Sequence, residues 1–169
     1  MAFTNSKKKG FLASRPQSDI EGSGIAQRCK FNFSFFDASQ EPGQNFSDWG
    51  QADGSASLVT LLEKIKEYTK HPLNYWRGQR VGGGGLRVLE QYSSFPNKSD
   101  FTHPAHVPHD VVWARFRLAQ KVRLVGFVIP GSMAGKEQEV EGKKYILDAE
   151  TFYVVFLDKN HQFYKLEQK

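Results

Sequence analysis

Residues 111–129, VVWARFRLAQKVRLVGFVI, set four cations into an apolar framework that contains no acid. Arg115 and Arg117 are two positions apart, a spacing that puts both side chains on one face of a strand. Lys121 and Arg123 follow directly. Guanidinium groups in such a row suit phosphate, which they bind in a bidentate way. The other chemistry-bearing cluster is DKNHQFYK near the chain end, with His161, Tyr164 and Lys165. Histidine moves protons near neutral pH. The two clusters together could cleave RNA without a metal. One group takes the 2′-OH proton, the oxygen attacks phosphorus, cations stabilise the charge that develops, and an acid protonates the leaving oxygen. In that scheme His161 and Tyr164 are the acid–base pair and Arg117 stabilises charge. Arg115, Arg123, Lys121 and Lys165 contact phosphates, and Trp113 or Tyr153 stacks a base. The scheme requires no cofactor. His161 and Tyr164 are three apart, so a regular strand would turn them to opposite faces, and only a turn can bring His161 back.

Two other stretches compete for attention. His103, His106 and His109 recur every third residue between Asp100 and Asp110, a set with the donor types of a zinc or iron site. Pro104 and Pro108 stiffen that segment into an extended path. The plainer expectation is therefore imidazoles bonded to loop carbonyls, with no metal. Gly82 to Gly85 form a glycine run, but Leu86-Arg87-Val88 follows where a phosphate-binding loop needs Lys and Ser or Thr opening a helix. A flexible loop is the expectation there.

The elements that must position these groups follow from periodicity. Two strands joined by a turn at residues 119–121 account for 111–129, with Val112, Ala114, Phe116 and Leu118 facing a core. Trp113 shares the opposite face with the arginines. KFNFSFF, residues 30–36, reads as a strand with Phe31, Phe33 and Phe35 on one side, and residues 45–49 as a short helical turn. The clearest helix spans 57–70: Leu58, Leu61, Leu62 and Ile65 make its apolar stripe, Ser55 or Ser57 caps it, and Pro72 stops it. Residues 86–92 fit a strand or a helix equally, and 94–110 and 130–144 read as loops. Residues 152–157 form a strand, 158–161 a tight turn with Asn160 left-handed, and 162–166 a returning strand. The expected fold is α+β, an antiparallel sheet of four to six strands packed against one main helix over 57–70. Residues 1–28 are expected to be a flexible basic tail and 29–169 a single domain.

Charge is concentrated rather than general. The chain has 169 residues and a formal net charge of +5. Residues 1–30 and 111–129 each carry +4, which leaves the remainder at −3. Local basicity of this kind suits nucleic acid or another polyanion. One cysteine, Cys29, excludes an intramolecular disulfide framework. No apolar run is long enough to cross a bilayer, and a cytoplasmic location is expected.

The β–α–βββ order, the segment RFRLAQKVRLVGFVI and the closing FYVVFLDKNHQFYK together resemble the C-terminal half of RelE-like mRNA interferase toxins, over residues 113–165. The resemblance implies an RNA endonuclease, ribosome-dependent or free, neutralised by an antitoxin partner. It implies phosphate contacts for Arg115, Arg117 and Arg123, and acid–base roles for His161 and Tyr164. Two other readings stand beside it. One is a non-catalytic nucleic-acid-binding module using the same basic face. The other is a protein-interaction domain whose arginines pair with acids such as Glu137, Glu139, Glu141 or Asp148.

Overall fold

A computed structural model describes residues 6–15 and 18–165. Phe3 of the basic tail and Leu166 of the expected last strand lie outside the described residues. In chain order the elements are α1 (Ser6–Ala13), β1 (Lys30–Asn32), α2 (Phe46–Gln51), α3 (Leu58–Tyr68), α4 (Leu73–Gly78), β2 (Arg80–Val81) and β3 (Leu86–Arg87). Then come β4 (Leu89–Tyr92), β5 (Val112–Arg117), β6 (Arg123–Val128), β7 (Glu137–Val140), β8 (Lys143–Ile146) and β9 (Thr151–Asp158).

The main sheet runs β1-β9-β6-β5-β4. Its last four strands in sequence form an antiparallel meander, and β1 joins the far edge parallel to β9. The fold is α+β, as the alternation predicts. Alternation also explains the first core. Ala114, Phe116, Leu124 and Phe152 turn to the helical side, where Leu61 and Tyr68 of α3 and Leu73 and Trp76 of α4 cover them. Fully burying each large side chain there contributes about 2–3 kcal/mol. Ser57 caps α3 by accepting from the Thr60 amide, and Asn45 and Asp48 close a capping box on α2. Leu62, placed on the stripe by its spacing, is instead 62% exposed. Of α3, Leu61 and Tyr68 are buried in this core, with Leu58 and Ile65 partly buried against it.

The opposite sheet face departs from expectation. Trp113 is buried, not displayed beside the arginines. With Val125, Phe127 and Phe156 it forms a second core, roofed by Phe101 and Val107 from the loop and by Phe163 from the chain end. A bulge helps to build it. The β6–β9 register shifts between Val125 and Gly126, and Val155 and Phe156 then both enter this core. Gly126 sits at the bulge because a Cβ there would overlap the Tyr153 carbonyl oxygen.

Four local expectations are corrected. The strand at 30–36 ends at Asn32, so Phe31 packs in the first core and Phe35 in the second, while Phe33 is exposed. The segment 130–144, expected as a loop, enters a β-hairpin, β7–β8, that runs to Ile146 and turns at Glu141 and Gly142, both with positive φ. The glycine run likewise turns a small hairpin, β2–β3. Residues 162–165 form no strand; they bend back so that Phe163 drops into the second core. No helix of the described residues is long and apolar enough to cross a membrane.

Candidate functional site

Register decides which side chains meet. Arg117 on β5 lies opposite Arg123 on β6, which lies opposite Asp158 on β9. One step inward, Glu90 on β4 faces Arg115, and Arg115 faces Val125. Another step brings Tyr92, Trp113 and Phe127 into line. The second face is therefore divided, with aromatics under a roof at one end and three arginines at the other.

At the arginine end lies a groove of about 640 Å³ lined by Arg115, Arg117, Lys121, Arg123 and Lys165, with Gln120, Asn160, His161, Gln162 and Leu86. The lining contains five cationic side chains and no carboxylate. His161 reaches it by the required turn, with the left-handed residue at His161 itself (φ 61°) rather than at Asn160. Asp158 imposes that turn. Its carboxylate is wholly buried and accepts backbone N–H bonds from Asn160, Gln162 and Phe163, at 3.2, 3.0 and 2.9 Å. Burial nevertheless raises the Asp158 pKa above the ordinary carboxylate value, against the lowering by those bonds and by Arg123.

The Arg115 guanidinium is hydrogen-bonded to Nε2 of His161. Arginine can only donate, so Nε2 is the acceptor and carries no proton. The electrostatics agree: burial first, then Arg115, Arg123 and Arg117, push the His161 pKa down to about 4. The imidazole is neutral at pH 7. Arg123 is 2% exposed and its pKa falls to about 10, through burial and then the neighbouring arginines, so it stays charged. Its Nη1 donates to the carbonyls of Ala119 and Val122, and Arg117 donates to that of Gln120. The Nε atoms of Arg117 and Arg123 are buried without a hydrogen-bond partner. Such orphaned donors each cost about 1–3 kcal/mol.

The other expected site residues are distributed differently. Tyr164 lies outside the groove: its ring stacks on Tyr92 at 5.2 Å, and the Arg115 guanidinium is 5.9 Å from each ring. Lys165 lines the groove while pairing with Asp100. Trp113 is enclosed and cannot stack a base. His103 meets the carbonyl of Pro104 at 3.0 Å and His106 that of Phe35 at 3.0 Å, which takes their rings to separate places. Among the described residues no group of three or more His, Cys, Asp or Glu side chains could hold a metal ion. Two of the acids that could have neutralised the arginines have other partners, since Glu137 pairs with Lys144 and Asp148 with Lys30. Sequence reasoning missed Tyr92, Glu90 and Asp158. The period-2 register of β4 against β5 could have found the first two.

Comparison of the chain with protein-family models, with curated proteins and with solved structures finds no match.

Proposed function

We propose that the groove binds single-stranded RNA through its phosphates and cleaves it by transesterification. The observation that carries this reading is the convergence of three arginines and a neutral histidine in a groove without a lining carboxylate. A phosphodiester that engages Arg115 in a bidentate way releases Nε2 of His161, which is then free to accept the 2′-OH proton. The 2′-oxygen attacks phosphorus, the bond to the 5′-oxygen breaks, and that oxygen takes a proton from the imidazolium. The products are a 2′,3′-cyclic phosphate and a 5′-OH. An imidazolium near its ordinary pKa is an effective acid at neutral pH, which favours the second transfer. Arg117 stabilises the charge on the pentacoordinate phosphorus, and the buried Arg123 adds its charge from a distance. Tyr164, stacked on Tyr92, serves binding rather than proton transfer. Such a substrate suits action in the cytoplasm, and an acidic antitoxin-like partner covering the groove would inhibit it.

A second reading is a module that binds RNA without cutting it, because Nε2 of His161 is engaged by Arg115 in the free protein. One experiment separates the two. Purified protein is incubated with RNA, with and without ribosomes and with EDTA present, and the product ends are analysed. Cleavage leaving cyclic phosphate, reduced about 100-fold or more by His161→Ala, supports the nuclease. Salt-dependent binding without cleavage leaves the binding module. Absence of both overturns the polyanion reading.

A further inference from the structure

Beside the groove lies a second cavity of about 550 Å³, lined by Tyr92, Ser93, Ser94, Pro96, Asn97, Lys98, Tyr164 and Lys165. Lys165 lines both cavities, so they adjoin at that residue. The two differ in character. The groove holds five cations, whereas the second cavity sets an aromatic pair, two serine hydroxyls and a carboxamide beside two lysines, Lys98 and Lys165. We propose that this second cavity is a nucleobase subsite, which takes an unpaired base of the RNA strand whose phosphate sits on Arg115. The inference rests on the RNA-binding reading above and adds to it what the protein recognises.

Four observations bear on it. The stacked pair Tyr92–Tyr164, inclined by 25°, lies against the phosphate-facing arginine, with Arg115 5.9 Å from each ring. Base and phosphate sites one sugar apart are what a single nucleotide needs, and bases stack readily on tyrosine. The Tyr92 hydroxyl is buried without a hydrogen-bond partner, an unpaired polar group on a residue that lines the cavity. Ser93, Ser94 and Asn97 are exposed on the connection after β4 and offer both donors and acceptors to a base edge. Finally, the cavity volume falls in the range of small-molecule sites. An unpaired base is required, because a base held in a duplex cannot enter a cavity of this kind.

The test uses 2′-O-methyl oligoribonucleotides, which lack the attacking hydroxyl, in matched pairs with and without bases. Binding of the full chain is measured by fluorescence anisotropy at fixed salt. The expected result is a base-containing oligonucleotide bound at least about tenfold more tightly than its abasic match, in line with stacking energies. Tyr164→Ala should bring that ratio close to one. Where Tyr164→Ala fails to fold, the surface change Ser94→Ala with Asn97→Ala should shrink the ratio and alter the ranking among the four bases. Equal affinity of the wild-type protein for both oligonucleotides overturns the base subsite and leaves the phosphate groove standing. Failure of both to bind overturns the groove and the subsite together.

Discussion

Anion binding should raise the pKa of His161, and the free-protein value sets how far it has to rise. In the free protein burial and three arginines hold the imidazole at about 4. A phosphodiester on Arg115 and Arg117 cancels much of that charge and withdraws the Arg115 N–H from Nε2. If the bound imidazole returns to its ordinary value of about 6.5, the complex takes up a proton that the free protein does not. Proton linkage then makes binding about tenfold tighter at about pH 5.5 than at about pH 7.5. A phosphodiester keeps its own charge over that interval, so the change belongs to the protein. Anisotropy with a 2′-O-methyl oligoribonucleotide at the two pH values measures it. The wild-type protein should show the tenfold gain, and His161→Gln should remove most of it. An NMR titration of the His161 ring, assigned by difference against the variant, should move upward when oligonucleotide is added. A wild-type affinity that does not change with pH, or a ring pKa unmoved by ligand, would refute the placement of phosphate beside His161. The free protein carries its own pH signature. Because the folded value lies below the ordinary one, neutral His161 supports the fold above about pH 6.5, and that support is lost as pH falls through about 4. Asp158 has the opposite sign, since its raised pKa favours the fold at low pH and that contribution fades as pH rises.

Asp158→Ala should destabilise the protein by about 3 kcal/mol or more in a denaturant titration, because three backbone N–H groups lose their acceptor. Asp158→Asn should cost less, since it keeps an acceptor oxygen and avoids the buried charge; equal costs would contradict the role assigned to that carboxylate. Trp113→Phe should lower stability through a cavity in the second core, by about 1–3 kcal/mol, and leave oligonucleotide affinity within twofold once the protein is fully folded. A selective loss of affinity would return Trp113 to the binding surface.

Much of the frame was legible in the chain. The alternation of Val112, Ala114, Phe116 and Leu124 defines a core face, and the 3.6-residue stripe over 57–70 defines the helix that covers it. Both are local periodicities. The hairpin around Glu141 and Gly142 was missed because its strands carry mostly charged and polar side chains, and its eight residues are all exposed. Strand pairing there depends on the turn and backbone bonds, which hydrophobic patterning does not register. The exposure of Leu62 was equally hidden, because a stripe shows which residues share a side but not which of them meet another element.

By itself the sequence determined that Arg115 and Arg117 share a face, that positive charge gathers on one hairpin, and that a histidine follows the last long strand. Tertiary structure alone decided what those facts mean. Trp113, on the same face as the arginines, is enclosed because Phe101 and Phe163 arrive from distant segments, while at the other end Arg123 is buried and Arg115 and Arg117 stay partly exposed on the groove. His161 turns back onto Arg115 because the buried Asp158 carboxylate gathers three amide protons, and a buried acceptor must satisfy its bonds with whatever backbone it can reach. A strand's period states which side chains are neighbours. Which of them meets solvent, a ligand or a roof depends on segments far away in the chain.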